Sequence, residues 1–131
     1  MFRRRFIAAT ALATFSTLGL AASAAPLTLE VYNPGAASLF PVSSSIVSGE
    51  KEAVLIDAQF QRNDAQALVK KIQAGGRRLA TVYISHSDPD YYFGLDVIRA
   101  AFPDARIVAT PQTVAAIQAS KDGKLLSLIH I

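Results

Sequence analysis

One strand–loop–helix passage constrains this chain more than any other feature. Leu79 to Ile84 is an apolar run with the length and branching of a buried strand, and a helical period begins near Phe93. Between them lies Ser85-His86-Ser87-Asp88-Pro89-Asp90-Tyr91-Tyr92, closed by Phe93-Gly94. A buried strand that hands over to a helix within ten residues belongs in a layered α/β architecture. The junction also carries chemistry. His86, Asp88 and Asp90 stand at every second position of a loop leaving a strand, a spacing that sends an imidazole and two carboxylates to one side, where they can converge on a cation. Pro89 fixes its own φ and restricts Asp88 before it.

The rest of the chain extends the same layout. Leu27 to Tyr32 alternates like a half-buried strand, Asn33-Pro34-Gly35 makes a turn, and Phe40 to Val47 reads as a second strand. Gly49-Glu50-Lys51 is a hairpin-like connection into Ala53-Val54-Leu55-Ile56-Asp57, a third and more deeply buried strand. The period then changes. From Asp64 to Gln73, Ala65, Leu68, Val69 and Ile72 fall on one helical face, with Asn63 or Asp64 as the expected cap and Gly75-Gly76 as the stop. A helix over Leu95 to Phe102, a strand over Ala105 to Ala109 and a helix over Thr113 to Ala119 follow, the last opened by Thr110 as cap and Pro111 in the first turn.

Both ends of the sequence read differently from its middle. Arg3, Arg4 and Arg5, then a mostly apolar Phe6 to Leu20, then Ala22-Ser23-Ala24, have the layout of a secretory signal peptide over residues 1–24, cut after Ala24. The Arg-Arg-x-Phe-Ile start also resembles a twin-arginine signal, so export to the periplasm or the medium is expected by the Sec or the twin-arginine route. The apolar stretch is short for a membrane anchor, and none is expected to remain after cleavage. At the other end Leu126-Ser127-Leu128-Ile129-His130-Ile131 resembles a translated library-adapter sequence, which assigns 126–131 to an artefact and gives His130 no role. One partial domain over 25–125 is then expected.

Charge excludes some partners. Of the 13 basic residues, three are the arginines of the signal; the remaining ten equal the ten acidic residues. A neutral mature chain without a run of like charge gives no nucleic-acid surface. The absence of cysteine excludes disulfides, a thiolate nucleophile and Cys-ligated zinc. Gly75-Gly76 follows a helix and is no phosphate loop; Ser43 to Ser45 show no partner base and read as a polar strand face.

Taken together, Ala53-Val54-Leu55-Ile56-Asp57, a helix, then Val82-Tyr83-Ile84-Ser85-His86-x-Asp88-x-Asp90-Tyr91-x-x-Gly94 and Ala105 to Pro111 resemble the metallo-β-lactamase superfamily. The resemblance runs from about Leu27 to Ala119 and implies the N-terminal half of that family's αββα sandwich. The family's motif is His-x-His-x-Asp-His. His86 matches its first His and Asp90 its Asp, while Asp88 and Tyr91 stand where the second and last His belong. The resemblance therefore implies a metal held by His86, Asp88 and Asp90, with zinc as the metal and iron or manganese as alternatives suited to an oxygen-rich ligand set. It also implies Asp57 as support from beneath the site, Asp90 as the residue that orients or deprotonates a water, and a hydrolase acting on a small-molecule ester, amide or lactone. Tyr91 and Tyr92 are candidates to line its substrate pocket.

Blander readings stand beside these. Ser-Asp-Pro-Asp is also ordinary turn chemistry, Tyr91, Tyr92 and Phe93 also suit packing a helix onto a sheet, and Asp57 also suits a loop cap. Two replaced histidines equally suit a non-catalytic member that binds a small molecule or a protein. Oligomeric state is not written in the sequence.

Overall fold

A computed structural model describes residues 25–128, with side chains through Leu126. The expected signal peptide and Ile129 to Ile131 lie outside the described residues. Five strands form one sheet in the order β1 to β5: β1 Thr28–Tyr32, β2 Ser44–Ser48, β3 Glu52–Ile56, β4 Arg78–Ile84 and β5 Arg106–Ala109. β1, β2 and β3 pair antiparallel, whereas β3–β4 and β4–β5 pair parallel. The parallel pairs follow from their connections. Helix α1 (Arg62–Ala74) joins β3 to β4, while α2 (Pro89–Tyr92) and α3 (Leu95–Ala101) join β4 to β5. Helix α4 (Pro111–Leu128) follows β5. The α/β class expected from the alternation of periods is the architecture observed.

Ile46, Leu55 and Val82 are neighbours across β2, β3 and β4 and are buried. Leu68 and Ile72 of α1 and Ile98 of α3 complete the core on that face. The opposite face has no helix from the described residues over it in this core. Leu29, Val47 and Val54 form one cross-strand row there, and Leu29 is 67% exposed. β1 is thus a more exposed strand than its alternation predicts, because its apolar side meets no second layer among the described residues.

Several boundaries differ from expectation for local reasons. Phe40 to Ser43 lie before β2, and Phe40 packs edge-on against Phe60, 4.8 Å between ring centres. Helix α1 starts at Arg62 after an N-cap at Gln61, which makes no side-chain cap bond. Asp64, one of the expected caps, is instead buried and accepts a 2.6 Å hydrogen bond from Ser38 Oγ. Gly76, at φ 68°, ends α1 in the left-handed conformation that glycine allows. Thr110 caps α4 as expected, accepting from the Thr113 amide at 3.1 Å. That helix runs past Ala119 to Leu128, since nothing from Ser120 onward forces an end; Gly123 alone only lowers the propensity.

Candidate functional site

The loops after β3 and β4 are stitched together, and this places the candidate residues. Beyond β3, Asp57 has φ 65° and Gln59 φ 70°, two non-glycine residues in the left-handed region. Such backbone persists only where its surroundings over-determine it. Here the Asp57 amide donates to the Tyr83 carbonyl (2.9 Å), the Ala58 amide to the Tyr91 carbonyl (2.8 Å), and the Gly94 amide to the Gln59 carbonyl (2.8 Å). Gln59 is fully buried and its Nε2 donates to the Val42 carbonyl and to Ser44 Oγ. The bend therefore ties β3 to α2, to the start of α3 and to the segment entering β2.

Its consequence is the position of Asp57. The carboxylate, 5% exposed, lies under the start of the β4–α2 loop. Its Oδ1 accepts from the Ser85 amide at 2.8 Å and its Oδ2 from Ser85 Oγ at 2.6 Å. Ser85 Oγ is also 2.6 Å from His86 Nδ1. A hydroxyl has one proton to donate, and Ser85 gives it to Asp57. The imidazole must then donate from Nδ1 to Ser85 Oγ, which leaves the Nε2 lone pair of the neutral ring available to a ligand or a proton. The Asp57 carboxylate reaches His86 through Ser85. Sequence reasoning gave Ser85 no role. Its only signal was a hydroxyl beside the motif's histidine.

The other expected residues divide. His86 is exposed and stacks on Tyr91, with ring centres 4.3 Å apart and planes 22° apart. Asp88 turns to α4, where Lys124 Nζ donates to its Oδ1 at 2.6 Å. Asp90 lies in the first turn of α2 and, with Tyr91, lines an open hollow of about 450 Å³ bounded also by Phe40, Pro41, Val42 and Ser43. Among the described residues no three histidine, aspartate or glutamate side chains gather where one metal ion would sit. The spacing of alternate positions does not deliver the expected convergence, because the loop turns helical at Pro89 and because Lys124 takes Asp88.

Tyr92 does not line that hollow. It packs against the core, edge-on to Phe93, and its hydroxyl is a buried group with no hydrogen-bond partner among the described residues. Burial raises the Tyr91 phenol above its ordinary value, and the negative charges of Asp90, Asp57 and Asp88 add to the rise. Burial also raises Tyr92, with Lys124 pulling the other way.

Comparison with known proteins bears on the fold. The profile of the metallo-beta-lactamase superfamily matches residues 37–127. The uncharacterized protein YobT of Bacillus subtilis (strain 168) is 28% identical over 71 residues, covering 54% of this chain and 30% of YobT. Among solved structures, TMB-1 superposes with a TM-score of 0.54 at 20% identity, over 75% of this chain and 43% of that one. DIM-1 metallo-beta-lactamase gives 0.54 at 21% identity, over 72% and 42%. A metallo-beta-lactamase from Hirschia baltica gives 0.56 at 12% identity, over 72% and 43%. The chain thus spans less than half the length of these relatives, and at such identities the superpositions speak for the fold. With the profile matched over most of its length and the five-stranded sheet in common, the chain belongs to the metallo-beta-lactamase superfamily.

Proposed function

We propose that this chain is part of an exported metallo-β-lactamase-fold hydrolase that opens an ester, amide or lactone in a small molecule. The observation that carries the proposal is the chain of hydrogen bonds from Asp57 through Ser85 to His86. A buried carboxylate on left-handed backbone holds Ser85, and Ser85 holds the imidazole at Nδ1, which leaves Nε2 for a ligand or a proton.

The described residues do not by themselves fit a metal ion: they offer one prepared imidazole nitrogen and no group of three ligands. Zinc, or iron or manganese, enters this proposal only with ligands contributed from the part of the relatives' length that this chain does not span. Asp57 and Ser85 orient His86, while Asp90, which lines the hollow, would hold or deprotonate a water. The remaining parts of the proposal rest on the sequence. They are a signal peptide over 1–24, a neutral mature surface with no nucleic-acid partner, and no retained membrane anchor. No helix among the described residues is long and apolar enough to cross a membrane.

The test is hydrolysis by protein expressed from its genomic locus with any downstream coding sequence, against chromogenic esters, a chromogenic β-lactam and acyl lactones. Turnover that is lost in His86→Ala and cut at least tenfold in Asp90→Asn is expected. Turnover indifferent to both changes would remove the proposal. A second reading, a non-catalytic member that binds a small molecule or protein, is favoured by the engagement of Asp88 with Lys124. Binding of the same compounds without turnover, on protein whose His86 Nε2 is free, would select it.

A further inference from the structure

The replaced histidine at position 88 has acquired a different partner. Lys124, on α4, donates from Nζ to Asp88 Oδ1 at 2.6 Å and to the Ser87 carbonyl at 3.1 Å. The two contacts span 36 and 37 residues of sequence, so they close the β4–α2 loop against the last helix. The ammonium is the more sheltered partner, at 31% side-chain exposure against 59% for Asp88. Just beyond, the Tyr91 amide donates to the Asp88 carbonyl at 3.1 Å, which connects the latch to the ring that stacks on His86.

We propose that Lys124 is the resident cation of this loop: its ammonium holds Ser87 and Asp88, sets the loop without a metal ion, and keeps Asp88 out of any ligand set. An ammonium with three donors can satisfy a carboxylate and a carbonyl at once, which is the service a divalent cation would otherwise perform for oxygen ligands. A cation that recruits Asp88 must first displace Lys124. The substitution of the family's second histidine by aspartate is then coherent with the fold, because an imidazole there would leave Lys124 without its carboxylate. The proposal stands on this contact and does not depend on the hydrolase reading.

Amide hydrogen exchange on the full chain tests it, with the Tyr91 amide as reporter and the Ser85 amide, held by Asp57, as internal control. In the wild type, neither EDTA nor excess zinc or manganese chloride should alter Tyr91 exchange. Lys124→Met and Asp88→Asn should each speed it about two- to fivefold, the range of a part-exposed ion pair. The double variant should be no faster than Lys124→Met alone, since that change already removes the Asp88 contact along with the Ser87 one. Lys124→Arg should restore protection. Circular dichroism establishes that each variant is folded, and if Lys124→Met is not, Asp88→Asn and the EDTA arm still decide. Faster Tyr91 exchange in wild type after EDTA would overturn the proposal, because a metal would then be holding the loop. Unchanged exchange in Asp88→Asn, or multiplying effects in the double variant, would overturn it equally.

Discussion

Gly94→Ala is the perturbation whose cost the structure states most directly. Gly94 is buried at the N-cap of α3, where its amide donates to the Gln59 carbonyl. Its φ of −77° suits any residue, so the backbone angle gives no reason for glycine. Space does. A Cβ there would stand 2.8 Å from Ala65 Cβ and 3.0 Å from the Gln59 carbonyl oxygen, and closer still to the Ala58 carbonyl oxygen. None of these is the end of a flexible side chain. Relief requires α3 to move off α1 and the Asp57–Gln59 bend, or the bend to give up its left-handed residues. Overpacking of this kind costs about 1–3 kcal/mol. Replacing glycine by alanine at an N-cap adds roughly 0.5 kcal/mol. Urea unfolding followed by circular dichroism should therefore show a loss of about 2–3 kcal/mol with an unchanged slope. Because the bend that moves also carries Asp57, the folded remainder should show altered Ser85 and His86 resonances. A loss under about 0.5 kcal/mol with those resonances in place would refute the close-approach argument.

Other consequences follow from particular residues. Leu55→Ala empties a fully buried site between the sheet and its helices and should cost about 2–5 kcal/mol in the same unfolding assay. Leu29→Ser, on the uncovered sheet face, should shift the stability of this chain by less than about 0.5 kcal/mol. Stability should fall as pH rises above 10. Tyr32, Tyr91 and Tyr92 all have phenols raised chiefly by burial, so the folded chain keeps protons that the unfolded chain releases near the ordinary value. That contribution is complete below pH 10 and is lost as pH climbs through the higher folded values. Urea midpoints taken on both sides of pH 10 should decline, and less steeply in Tyr91→Phe; a flat or rising midpoint contradicts the assignment.

Strands and helices were legible where burial imposes a period. Leu79 to Ile84 and the Ala65, Leu68, Val69, Ile72 face differ from the observed elements only at their ends. The site was legible as a place rather than as a geometry. His86 announced itself by type and by its position after a buried strand, and Asp57 by its position after another. Their connection through Ser85 needed the register of β3 against β4, which is a long-range fact. Alternate spacing brings Asp88 beside His86 and Asp90 only on an extended loop. A turn of helix from Pro89 and a lysine 36 residues away decide its direction instead. Gln59 gave no signal, since nothing in a glutamine after an apolar strand foretells a left-handed, fully buried residue.

The tautomer of His86 tests the central claim most directly. Long-range proton–nitrogen correlation on labelled protein, at a pH where the ring is neutral and with His86→Gln to assign the signals, distinguishes the two ring nitrogens. The hydrogen bonds of Asp57 and Ser85 predict a proton on Nδ1 and a lone pair on Nε2, with that preference weakened in Ser85→Ala. A His86 protonated on Nε2, or an even mixture indifferent to Ser85→Ala, would contradict it.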